Sequence, residues 1–130
     1  MKTILVDAVY AFIIESGGRF KIFKEMYDVL ERFPNRKILL TGAGDDDIKR
    51  YGLDAVPYEY FTLKHDPNKS DPRYYELMLE HFHLRPDDVI YFEQNPDAVK
   101  SARSVGISTY YYDPVKKDLG ALKLFLDQNL

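Results

Sequence analysis

Four side chains in this sequence have the types and the spacing to work together on a phosphate group. The apolar run Ile4-Leu5-Val6 ends on Asp7, and Ile38-Leu39-Leu40 ends on Thr41. Lys69 stands just before Asp71-Pro72, and Val89-Ile90-Tyr91-Phe92 runs into Glu93. Phosphoryl transfer asks mainly for positioning and charge neutralisation. An acid, a hydroxyl, a lysine and a second acid are the groups that would supply both. Asp7 beside a phosphate would be repelled unless a cation offsets the charge, and Lys69 is one such cation.

Asp7, Thr41 and Glu93 each close an apolar run, so strands must position them. Residues 3–7 read as a strand covered on both faces, as a continuous apolar run in a parallel sheet should be. Further strands are expected at 37–41, 58–63, 89–92 and 107–112, the 58–63 strand lying near an edge. Residues 8–19 suggest a hairpin or flap, with Gly17-Gly18 as its turn. The spacing of Phe20, Phe23, Tyr27, Leu30 and Phe33 predicts a helix over 20–33. Asp45-Asp46-Asp47 open a short helix that ends near Gly52. The three acids resemble a metal site, but they also suit the positive end of a helix dipole. Asp71 and Asn95 are N-caps, each followed by proline at the first helical position. Leu119, Leu122, Leu126 and Leu130 mark a last helix.

Strands alternating with helices imply an α/β domain, 1–130, with a parallel sheet of about five strands between helical layers. In such sheets ligands bind beyond the carboxyl ends of the strands, where Asp7, Thr41 and Glu93 fall.

Composition narrows the classes of function. The chain has 18 basic and 21 acidic residues for a net charge of -3, which disfavours nucleic-acid binding driven by overall positive charge. There is no cysteine, so disulfides, thiol catalysis and cysteine-ligated zinc are excluded. No apolar run has the length of a membrane span or a signal peptide, and a cytoplasmic location is the default. His81 and His83 lie two apart on a predicted helix and so face apart, and His65 is remote, which argues against a zinc site. Aromatic runs such as Tyr110-Tyr111-Tyr112 fit strand residues with apolar bodies and polar tips.

The order Asp7, Thr41, Lys69 and Glu93-Gln94-Asn95 resembles the haloacid dehalogenase-like superfamily. The most specific stretches are Lys69-Ser70-Asp71-Pro72-Arg73-Tyr74-Tyr75 and Val89 to Val99 with Ala102 to Ile107. The resemblance covers most of the chain and implies a Rossmann-like sheet of strand order 3-2-1-4-5. It implies that Asp7 is the nucleophile, forming an aspartyl-phosphate. Thr41, with Gly42 beside it, would bind phosphate oxygens, and Lys69 would steady the nucleophile and the transferred group. Magnesium would be held by Asp7, a backbone carbonyl near Val9, and Glu93, where the family has an aspartate. A second aspartate normally stands two residues after the nucleophile and carries a proton; here that position is Val9.

The intervals between Asp7, Thr41 and Lys69 are short, so no cap domain is expected. An open site suits a phosphorylated small molecule or macromolecule, or a homo-oligomer in which a neighbour serves as lid. The expected function is a phosphatase-type hydrolase weakened by Val9. The alternatives are a retired domain that binds phosphate or protein, and a dehalogenase-like hydrolase, which the missing cap disfavours.

Overall fold

The computed structural model describes Met1–Leu130. Strand β1 (Thr3–Asp7) is buried along its whole length, as its apolar run requires. A hairpin follows, β2 (Ile13–Ser16) and β3 (Arg19–Ile22), then helix α1 (Lys24–Leu30). β4 (Lys37–Thr41), α2 (Asp45–Tyr51), β5 (Glu59–Thr62) and α3 (Pro72–Phe82) come next. β6 (Val89–Glu93), α4 (Pro96–Ser104), β7 (Ser108–Tyr111) and α5 (Leu119–Asn129) complete the chain.

The main sheet has five strands in the order β5-β4-β1-β6-β7, all parallel. Counting only its members along the chain, this is the expected 3-2-1-4-5. β5 is an edge strand, as its weaker pattern suggested. Alternation along β1 sends Ile4 and Val6 to one face and Leu5 and Asp7 to the other. Ile4 and Val6 pack in a core with Met26 and Leu30 of α1 and Leu122 and Leu126 of α5. Leu5, Ile38 and Leu40 pack with Tyr74, Tyr75 and Met78 of α3 and Ala102 of α4. The result is three layers, with the sheet between two pairs of helices.

One expectation is corrected. The helix predicted over 20–33 begins only at Lys24, and Phe20 and Ile22 belong to β3. Gly17 and Gly18 both have positive φ, 60° and 77°, and form the two-residue loop of a tight hairpin. That loop fixes the pairing Ser16↔Arg19 and Glu15↔Phe20, and the ladder runs on to Ile13↔Ile22. Hairpin pairing thereby takes Phe20, Lys21 and Ile22, whose apolar spacing also fits a helix. Between β4 and β5 stand only α2 and one short 3-10 turn, so neither interval carries a cap.

The loop before α3 is held at its end. Asp71 Oδ1 accepts the Arg73 N–H at 2.9 Å, and Asn95 Oδ1 accepts the Asp97 N–H at 2.9 Å. Both predicted caps are therefore formed, each with proline after it.

Candidate functional site

Asp7 ends the central strand, with β4 on one side and β6 on the other. Glu93 ends β6 on the same face of the sheet. Lys69 arrives from the loop between β5 and α3, and its Nζ lies 2.8 Å from Asp7 Oδ1 and 2.8 Å from Glu93 Oε1. Backbone amides take up the outer oxygens: Gln94 N–H donates to Asp7 Oδ2 at 3.1 Å, and Asn95 N–H to Glu93 Oε2 at 2.9 Å. The Tyr91 hydroxyl donates to Glu93 Oε1, and its oxygen lies 3.2 Å from the Tyr75 hydroxyl. The three charged side chains are 4%, 14% and 1% exposed for Asp7, Lys69 and Glu93, so water does little to screen them.

One ammonium between two carboxylates leaves an excess negative charge. Burial pushes the Asp7 carboxyl well above the usual carboxylate range, Glu93 adds to this, and Lys69 only partly opposes it. Glu93 moves the other way. Burial is the largest influence and disfavours its charge, but Lys69 and the hydrogen bonds from Asp7 and Tyr91 together outweigh it and hold the carboxyl below the usual range. Lys69 itself is desolvated, yet Asp7 and Glu93 keep it well above the ordinary lysine value. Burial likewise keeps the Tyr91 phenol protonated, so it remains a donor to Glu93. Of the two acids, Asp7 is the one disposed to take a proton when no other cation is near.

Beside this network lies a cavity of about 340 Å³. Asp7, Thr41, Gly42, Lys69 and Glu93 all line it, as does Val9. Thr41 Oγ1 accepts the Ala43 N–H at 3.1 Å, so its hydroxyl hydrogen is free to donate elsewhere. The Tyr74 hydroxyl donates to the Thr41 carbonyl at 2.8 Å and pins the end of β4. No acceptor of the protein reaches the backbone N–H of Gly42 or of Val9, and no donor reaches the Val9 carbonyl. Backbone donors facing a cavity beside an ammonium can cradle an anion. Asp7 and Glu93 are the two acids that meet at Lys69, and no three His, Asp or Glu side chains cluster closely enough to hold a metal ion by themselves.

All the residues singled out in the sequence therefore border one cavity, although β1, β4, β6 and the Lys69 loop are far apart along the chain. Sequence reasoning passed over Tyr91, whose period-two relation to Glu93 put both on one face. It also passed over the wall opposite the sheet: Asp47 and Tyr51 of α2, with His65 and Asn68 of the Lys69 loop. Asp47 came into view only as part of an acidic helix start, and nothing local marks the others. His81 packs against Phe61 at a tilt and edge-on against Phe82, with centroids 5.2 and 4.7 Å apart, and lies outside this cavity with His83.

No protein-family model matches the chain, and no curated protein matches it in sequence. Solved structures match it in fold. A HAD family enzyme from Bacteroides thetaiotaomicron, an aspartate-to-alanine mutant in complex with magnesium and inorganic phosphate, superposes with a TM-score of 0.75 at 14% identity. The match covers 94% of this chain and 98% of that one. A candidate phosphoglycolate phosphatase from Lactobacillus plantarum gives a TM-score of 0.65 at 12% identity, covering 85% of this chain and 61% of the other. A haloacid dehalogenase-like protein of unknown function from Agrobacterium tumefaciens gives 0.61 at 16%, covering 83% and 62%. The chain thus spans under two thirds of the length of these last two. At such identities the likeness is one of fold, and the chain has the haloacid dehalogenase-like fold.

Proposed function

We propose that this chain is a phosphatase-type hydrolase that transfers a phosphoryl group through Asp7, slowed by the apolar Val9. The observation that carries this reading is the convergence of the Asp7 carboxylate, the Lys69 ammonium and the free Gly42 N–H on one cavity. In this reading phosphate oxygens rest on the Thr41 hydroxyl, the Gly42 N–H and Lys69. An Asp7 oxygen then attacks phosphorus as the ester bond breaks, giving an aspartyl-phosphate. Water hydrolyses that intermediate and returns the carboxylate.

The donor set fits magnesium. Asp7 and Glu93 offer carboxylates, the Val9 carbonyl is unpartnered, and this ion favours one or two carboxylates completed by water and substrate phosphate. When bound, magnesium would neutralise charge on the phosphoryl oxygens. Asp7, Glu93 and the Val9 carbonyl would hold it, and its charge would favour the ionised form of Asp7. The Bacteroides neighbour, in complex with magnesium and inorganic phosphate, supports the reading at the level of fold.

A second reading has its own observation. Every oxygen of Asp7 and Glu93 already has a partner within the protein, so the network is complete as it stands. That is what a retired site kept for phosphate or protein binding would look like.

The deciding experiment is magnesium-dependent phosphate release from a panel of phosphate esters, wild type against Asp7→Asn. Release that vanishes in the folded variant is the expected result. Equal release from both proteins, or none from either, removes the phosphatase reading. Isothermal titration with magnesium gives a second readout, with heat in the wild type and none in Asp7→Asn.

A further inference from the structure

We infer that His65 carries the proton that Val9 cannot, acting as acid for the leaving oxygen and as base for water. This rests on the phosphatase reading above and names the group that completes it.

The leaving group of an alkyl phosphate departs as an alkoxide unless a nearby acid protonates it. The cavity holds few candidates. Asp7 is the attacking group. Lys69 is fixed between two carboxylates, and Glu93 is 1% exposed with both oxygens engaged. Asp47 faces Arg50 at 3.7 Å, and Tyr51 packs edge-on against Phe20 at a centroid distance of 4.6 Å. His65 remains, and imidazole is the side chain that takes and gives protons near neutral pH.

Its placement suits the task. His65 Nδ1 lies 2.9 Å from Asn68 Oδ1. An amide oxygen only accepts, so Nδ1 bears the hydrogen in both charge states. Nε2 has no hydrogen-bond partner in the protein and is the nitrogen left open to a ligand. The ring lies against Gly42, a residue that lines the cavity and whose N–H has no protein acceptor. A Cβ at Gly42 would stand 3.0 Å from His65 Nδ1 and 3.1 Å from Cε1. Lys64 and His65 both have positive φ, 53° and 63°, a conformation rare for side-chain-bearing residues. That double turn brings the ring over the end of β4.

The steps balance. Asp7 Oδ bonds to phosphorus as the ester P–O bond breaks, and the leaving oxygen takes the proton from Nε2 of the imidazolium. Water then attacks phosphorus and gives a proton to neutral Nε2, the Asp7–phosphorus bond breaks, and inorganic phosphate departs. His65 ends protonated, as it began.

The test compares two leaving groups, 4-nitrophenolate, which departs without a proton, and the alkoxide of β-glycerophosphate, which needs one. His65→Gln should lower kcat on β-glycerophosphate about 100-fold or more. On 4-nitrophenyl phosphate the fall should be at most a few-fold. Imidazole added to His65→Ala should restore part of the lost rate on β-glycerophosphate. Equal loss on both esters, or a change in KM alone, would make His65 a binding residue and overturn the inference while leaving the phosphatase reading. Selective loss in Asp47→Asn and none in His65→Gln would also overturn it. Wild-type activity confined to the aryl ester would show that no acid works here. Absence of activity on both esters would overturn the phosphatase reading and this role with it.

Discussion

At the floor of the cavity, Asp7, Lys69 and Glu93 are withdrawn from water and bonded to one another; at the rim, His65 and Asn68 stand exposed and bonded chiefly to each other. The floor residues hang on strand ends and on a loop tied to α3 and α4, the latter by the Ser101 hydroxyl donating to the Ser70 carbonyl at 2.7 Å. A change there disturbs groups that cannot turn to solvent. The rim can change without such a penalty. Substitutions at the floor should therefore register first as stability, and those at the rim as turnover.

Lys69→Met is the strongest test of that division. It leaves two buried carboxylates facing each other without their cation. Removing one partner of a buried pair costs about 3–5 kcal/mol, and here two acids lose theirs. Urea denaturation without divalent cations should show the loss as a lower midpoint with an unchanged slope. A midpoint within error of the wild type would mean that water reaches the floor, and the contrast with the rim would disappear.

The floor was legible in the sequence because each of its strands announces itself as an apolar run that stops at one polar residue. Asp7, Thr41 and Glu93 could be read that way, and Lys69 by its distance from the Asp71-Pro72 cap. The parallel order followed from the alternation of strands and helices. The rim was not legible. His65 reaches Gly42 only because two successive residues adopt positive φ, and no residue type there demands that. The boundary at 20–23 failed for a related reason: Phe20 fits either period, and the Gly17-Gly18 hairpin decides between them.

Within the floor, Tyr91→Phe separates hydrogen bonding from charge. It removes the donor to Glu93 and leaves the buried Tyr75 hydroxyl without its only side-chain partner. An unsatisfied buried polar group costs about 1–3 kcal/mol, so the loss should be smaller than for Lys69→Met. The ranking is checked in the same urea series, and a larger loss in Tyr91→Phe would place the weight of the network on its hydroxyls.

Asp7→Asn should move stability in the opposite direction, with a defined dependence on pH. The folded-state pKa of Asp7 is raised, so its contribution is fully present below the unfolded carboxylate pKa of about 4. It is lost as pH rises from there through the folded value, because the unfolded chain ionises first. Asparagine does not titrate. In chelator, the stability of Asp7→Asn relative to wild type should therefore grow across that window and then level off. Thermal melts at a series of pH values check this, and a constant difference would show that Asp7 is charged at no cost. Magnesium should shrink the difference by stabilising the ionised wild type.

The smallest expected change in stability belongs to Gly42→Ala, and it tests the rim directly. Gly42 has no positive φ, so alanine fits its backbone. The new Cβ would stand 3.0 Å from His65 Nδ1, and the obstacle is an exposed side chain that can swing aside. Stability should stay within about 0.5 kcal/mol of wild type, as for most surface substitutions. Turnover should not. With the ring displaced, β-glycerophosphate hydrolysis should fall in the manner of His65→Gln but less far, and 4-nitrophenyl phosphate hydrolysis should hold. The double variant should lose little beyond His65→Gln alone, because both changes act through one ring. Additive losses would instead mean that Gly42 acts on phosphate independently of His65, through its own unpartnered N–H.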